Sequence, residues 1–159
     1  MSTINATLRI ALDVLEEFTA AEIPLVSQPS VLHNQANLSK SLNASSTPAG
    51  TKVYAQQLTG TQNLDLTSLT DTIGNALDCS GLKLQALLIK NLSTTDPLTI
   101  SDGAANPYSI NGTHDVDVPI GCTFGFEFGE QLADVAAGAL AIDITPAAGQ
   151  SFQLVMVFG

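Results

Sequence analysis

The chain has 159 residues, of which 45% are hydrophobic and only 13% charged, with 15 acidic against 5 basic side chains and a formal charge of −10. That balance argues against nucleic-acid binding, which needs clustered cations to displace phosphate counterions, and against adhesion to an anionic membrane. No stretch reaches the roughly 18 apolar residues of a membrane-spanning helix, and a chain of this length buries roughly 70% of its unfolded surface without help from disulfides.

The start, Met1-Ser2-Thr3-Ile4-Asn5-Ala6-Thr7, lacks the basic and apolar regions of a secretory signal, so folding in a cytoplasm is expected. Cys79 and Cys122 each stand alone and are expected as small free residues rather than a bridge. Asn-x-Ser/Thr triplets at Asn5, Asn37, Asn43, Asn91 and Asn111 are read as products of a composition rich in those residues. Few charges and many Ser, Thr, Asn and Gln suggest neutral polar surfaces that pack readily against other subunits.

Along the chain, Leu8, Ile10, Leu12 and Val14 alternate with Thr7, Arg9, Ala11 and Asp13, which predicts a half-buried strand, with a short helix over Asp13 to Ala21 as the rival. Glu22 to Ser30, with Pro24 and Pro29, reads as an extended connector, followed by a weaker strand around Asn37 to Leu42 and a polar loop from Asn43 to Gly50. Lys52 to Thr59 is a strand with a mixed face. A turn at Gly60 to Asn63 leads into Leu64 to Thr67, and Ser68 to Asp78 is a loop with at most one helical turn. Leu82 to Asn91 is the densest apolar run of the first two thirds, closely bounded by turn residues, and reads as an inner strand.

Leu98 to Ser101 is short and ends at the turn signal Asp102-Gly103. Tyr108 to Ile110 and Val116 to Ile120 flank a turn at Asn111-Gly112, and Pro119 confines the second of them to a sheet edge. Thr123 to Phe128 sets Phe124, Phe126 and Phe128 on one face as expected core anchors. Glu130 to Gly138 is a loop or one helical turn, and Leu140 to Ile144 alternates. The run Ser151 to Phe158 is apolar on both faces, with Phe152, Leu154, Met156 and Phe158 on one and Val155 and Val157 on the other. It should pair inside a sheet or with a neighbouring subunit. Short strands at roughly ten-residue spacing predict an all-β fold, an antiparallel β-sandwich of the jelly-roll kind with roughly eight to ten strands in one domain over 1–159.

Chemistry-bearing patterns are sparse. His114 between Asp115 and Asp117 could hold a divalent ion or move a proton, but alternation turns His114 away from the two carboxylates, and the other histidine, His33, is distant in sequence. Solvated turn residues are the favoured reading. There is no Gly-x-Ser-x-Gly elbow and no phosphate loop. The absence of Trp and 5% aromatic content weaken a sugar-platform reading. No enzyme, metal or cofactor is expected.

Several segments together resemble a group of small tailed-phage virion proteins. Ala6-Thr7-Leu8-Arg9-Ile10-Ala11-Leu12 is similar to an N-terminal Ala-Thr-Leu-x-Leu-x-Leu strand of that group, and Lys52 to Leu58 to its Lys-Val-x-x-x-Gln-x-Leu strand. Leu64-Asp65-Leu66 with Leu69-Thr70-Asp71, Lys83 to Asn91, Ile100 to Asn106 and Val116 to Phe128 follow in the same order. Departures are Ile120 before a single Gly121, where relatives tend to have paired glycines, and Glu22 to Asn37, which does not align.

The resemblance implies a non-enzymatic β-sandwich of the virion, assembled in the host cytoplasm, that decorates and stabilises the capsid. A tail, fibre or baseplate module binding a receptor or glycan is the alternative. It also implies the major capsid protein or tail proteins as partners and a homo-oligomer such as a trimer. It carries over no catalytic residue. Phe152, Leu154, Met156 and Phe158, with Leu8 and Ile10, are the expected interface residues.

Overall fold

The structure, a computed structural model, describes residues 5–17, 30–47, 49–112 and 114–159. It is all-β, with twelve strands and no helix among the described residues: β1 Asn5–Glu17, β2 Ser30–Asn43, β3 Lys52–Thr59, β4 Gln62–Asp65, β5 Leu69–Thr70, β6 Ala76–Leu77, β7 Leu84–Asn91, β8 Leu98–Asp102, β9 Val116–Val118, β10 Thr123–Glu127, β11 Ala141–Pro146 and β12 Ser151–Phe158. Contacts divide the chain into two compact units, one of Met1–Ala6 with Leu42–Gly159 and the other Thr7–Ser41. The second unit is built on the two-stranded sheet of β1 and β2.

The first unit is a sandwich of two four-stranded sheets, ordered β10-β7-β12-β3 and β4-β11-β8-β9, with β5 and β6 as a small separate hairpin. The ladders between its described strands are antiparallel and they nest: β3 pairs with β12, β4 with β11, β7 with β10, and β8 with β9. Pairing first with last, and so on inward, is the jelly-roll connection, and it closes the core between two sheets with short edges.

One buried cluster spans both sheets. It includes Leu84, Leu87 and Ile89 of β7, Phe152, Leu154, Met156 and Phe158 of β12, Ile142 and Ile144 of β11, and Leu98 and Ile100 of β8. Alternation along each strand sends these side chains inward, and each fully buried aliphatic or aromatic side chain contributes about 1.5–3 kcal/mol.

Polar side chains seal the ends of the core. Tyr108 is 1% exposed, and its hydroxyl donates to the Ala133 carbonyl at 2.7 Å and accepts from the Leu84 amide at 3.0 Å. At Asn91, fully buried, Nδ2 donates to the carbonyls of Asp96 (3.0 Å) and Val118 (3.1 Å), and Oδ1 accepts from the Ser93 amide at 2.8 Å. That burial removes Asn91 from the set of accessible Asn-x-Ser/Thr triplets.

Most strand expectations hold. Thr7 to Val14 is strand, Lys52 to Thr59 and Ser151 to Phe158 coincide with β3 and β12, and the central run is an inner strand, flanked by β10 and β12. The weak strand expected around Asn37 to Leu42 is the second half of β2, which begins at Ser30 and ends at Asn43. The rival helix over Asp13 to Ala21 is corrected as far as Glu17, which is still strand, because period-two alternation prevails there; the rest of it lies outside the described residues, as does the Glu22 to Ser30 connector except for Ser30, which opens β2.

Three more expectations are corrected. Ser68 to Asp78 carries the β5–β6 hairpin rather than a helical turn, because Asp71 caps a tight turn there. Tyr108 to Ile110 is not a strand, and β9 pairs with β8 instead; the alternation reflects Tyr108 and Ile110 dropping into the core from a loop. Phe124 and Phe126 of β10, with Phe128 after it, are only half-buried, since β10 is an edge strand. Phe126 meets Phe124 edge-on at 6.2 Å and stacks on Phe128 at 5.8 Å, so the rings form a border of the core rather than its centre.

Candidate functional site

The outward faces of the two sheets differ in kind. On β4-β11-β8-β9 the outward row is polar. Asn63 donates from Nδ2 to Asp143 across the β4–β11 ladder, and Thr99 donates from Oγ1 to Asp117 at 2.7 Å across β8–β9. The Ala104 amide adds a bond to the second oxygen of Asp143 at 3.1 Å. This face is a solvated half-sandwich surface of the ordinary kind.

The outward face of β10-β7-β12-β3 carries two successive rows that are apolar apart from Glu127. Register aligns Gly125, Leu88, Val155 and Ala55 in one, and Glu127, Ala86, Val157 and Val53 in the next. Beyond them Thr123, Lys90, Gln153 and Gln57 form a polar row. The second row is covered within this unit: Leu42 packs on Ala86 and Val157, with Ala6 and Val53 against the same cluster. In the first row Leu88, at the centre, is 39% exposed, and Gly125, Val155 and Ala55 beside it are half-buried.

A bulge places Ala86 on this face. Val157 pairs with Ala86 while Phe158 pairs with Leu84, so Gln85 is the extra residue. Its side chain is 1% exposed and donates from Nε2 to the Ala49 carbonyl at 2.7 Å, which fastens the loop after β2 onto the sheet.

The residues singled out in the sequence fall elsewhere. Phe152, Leu154, Met156 and Phe158 are each 0% exposed. They fill the core, so the folded chain does not offer them to a neighbour, and β12 turns Val155 and Val157 outward instead. The most hydrophobic face of the last strand was the one its own sandwich consumes. Leu8 and Ile10 lie on β1, and their side chains fall outside the described residues. His114, Asp115 and Asp117 are exposed, and among the described residues no group of three or more His, Cys, Asp or Glu is placed to hold a metal ion.

Both cysteines are free. Cys79 is buried, and that burial pushes its thiol up to about 11, whereas Cys122 is exposed. Among the described residues no helix is long and apolar enough to cross a membrane. The signal that could have found the first row is the pairing register. Leu88, Val155 and Ala55 sit on three different strands, and only the ladder makes them neighbours.

Compared with protein-family models and with curated proteins, the chain matches none.

Proposed function

We propose that this chain is a non-enzymatic structural protein of a tailed-phage virion that docks on the particle surface as a decoration and stabilising protein of the capsid. The observation that carries this reading is the apolar row Gly125, Leu88, Val155 and Ala55 on one outward sheet face, with Leu88 39% exposed at its centre, against the polar row of Asn63, Asp143, Thr99 and Asp117 on the other. A sandwich with an apolar row on one exterior binds a surface by that row and shows solvent its polar side. The resemblance noted above supplies the kind of surface. Desolvating this row costs little, since it contains no charge, and many copies bound side by side add modest contacts into firm occupancy.

Electron cryo-microscopy of particles carrying the wild-type chain or Leu88→Asp tests this. Leu88 is already 39% exposed, so the variant is expected to fold, which melting checks, and its occupancy on the shell to fall at least about tenfold for the loss of a central contact. Deleting Ser151 to Gly159 is no substitute, because it removes a strand from the middle of the core. Density confined to a tail fibre or baseplate, or unchanged shell occupancy of Leu88→Asp, would overturn the reading.

A further inference from the structure

A cleft of about 360 Å³ opens between the sheet-edge strands β3 and β4, at the foot of the β5–β6 hairpin. Small-molecule sites occupy roughly 300–1,000 Å³. Its floor is apolar, with Tyr54, Leu64 and Leu69 buried, and its rim is polar. On that rim Gln56 donates from Nε2 to the Thr70 carbonyl at 3.1 Å, and Asp65 Oδ1 accepts from the amide and hydroxyl of Thr67 at 2.8 and 2.6 Å. These bonds fix the walls. They leave Gln56 Oε1 and Asp65 Oδ2 without a partner among the described residues, on side chains that line the cleft.

Tyr54 is the residue that points to a ligand. It is 4% exposed, yet its hydroxyl has no hydrogen-bond partner among the described residues. The other buried tyrosine, Tyr108, makes both of its bonds inside the chain. Among the described residues the unpartnered side-chain atom that is fully enclosed is Gln85 Oε1. The Tyr54 hydroxyl is therefore not sealed in, and it reaches the cleft that Tyr54 lines. Burial raises its pKa above the ordinary 10.0, so at neutral pH it stands ready as a protonated donor that can also accept.

We propose that the β3–β4 cleft binds a small, neutral, polyhydroxylated ligand, one sugar ring in size, through the Tyr54 hydroxyl, Gln56 Oε1 and Asp65 Oδ2 above the apolar floor. A sugar ring carries hydroxyls around its edge and C–H groups on its face, which matches acceptors at a rim over buried leucines. The walls hold no cation, and the Asp65 carboxylate on a chain of formal charge −10 turns away phosphates and carboxylates. Asp65 is also the one carboxylate on the walls, too few charged oxygens for a divalent cation. The lack of tryptophan disfavours an exposed stacking platform and does not bear on a recessed polar cleft. The site uses neither the Leu88 row nor the particle, so it stands or falls separately from the docking reading.

Amide NMR spectra of the purified full chain test this, with glucose, galactose and N-acetylglucosamine each titrated to roughly 20 mM, where a millimolar site is filled. At least one sugar is expected to shift the amides of Tyr54 to Leu58 and of Leu64 to Thr70. Tyr54→Phe should weaken that binding about threefold to tenfold, the worth of one hydrogen bond, and leave Tm unchanged, since the hydroxyl makes no bond in the folded chain. Ser68→Trp sets a ring across the cleft from an exposed position on its wall and should abolish binding. Melting verifies that both variants fold. Silence with all three sugars overturns the proposal, as do shifts confined to other residues or binding that either variant leaves unchanged. A Tm lowered by Tyr54→Phe also overturns it, by showing that the hydroxyl is spent inside the fold.

Discussion

Tyr108→Phe isolates one buried hydroxyl. The ring stays in the core, where Tyr108 is 1% exposed, and only the bonds to the Leu84 amide and Ala133 carbonyl are lost. Leu84 is 0% exposed, so its amide is left without a partner in the dry interior. Ala133 is exposed and its carbonyl can take water instead. The cost is therefore that of one stranded buried donor, about 2 kcal/mol within the usual 1–3. For a domain of this size that corresponds to a fall in Tm of roughly 4–8 °C. Urea denaturation should show the same loss with an unchanged m-value, and exchange of the Leu84 amide should accelerate. A Tm within about 1 °C of wild type, or unaltered Leu84 exchange, would refute the claim that this hydroxyl ties the 103–112 and 129–140 segments to β7.

Further outcomes are expected at Cys79 and Cys122 and at two glycines. The folded thiol of Cys79 ionises at about 11 against an ordinary 9.0, because burial disfavours the thiolate; stability is then intact below pH 9.0 and is lost as pH rises towards 11, by roughly 2–3 kcal/mol. Burial also raises Tyr54 and Tyr108 above 10.0, which adds loss in the same direction. Denaturation curves at about pH 8 and 10.5 should show this slope, shallower in Cys79→Ala, while at neutral pH a thiol reagent labels Cys122 and spares Cys79. Gly103→Ala should destabilise by about 1–3 kcal/mol, since its new methyl would stand 2.7 Å from the Ala141 carbonyl oxygen. Gly138→Ala, with nothing within 4 Å, should be neutral in the same melting assay.

The sandwich was legible because period-two alternation and turn residues are local signals. They found β3, β7 and β12 with little error at the ends. What they could not assign was a side. Ser151 to Phe158 is apolar on both faces, and the choice between Phe152–Phe158 and Val155–Val157 depends on which sheet face the core occupies, a fact of pairing. The 68–78 hairpin escaped notice because its strands are two residues each and its specificity lies in the carboxylate of Asp71. Tyr108 to Ile110 misled in the opposite sense, since two buried residues separated by one exposed residue mimic a strand wherever a loop is pinned to the core.

The pairing of β3 with β12 has a kinetic consequence. The Thr51 hydroxyl donates to the Phe158 carbonyl across 107 positions of sequence, and β12 is also the strand between β3 and β7. During synthesis β3 and β7 therefore emerge long before the strand that joins them, and their facing edges stay unmatched until the last strand arrives. Loop closure over that separation precedes any reward, which puts folding in the slow, millisecond-to-second range of non-local β topologies. In that interval the unpaired edges are open to pairing with other nascent chains, so yield of soluble protein should fall with expression rate more steeply than native stability alone would suggest.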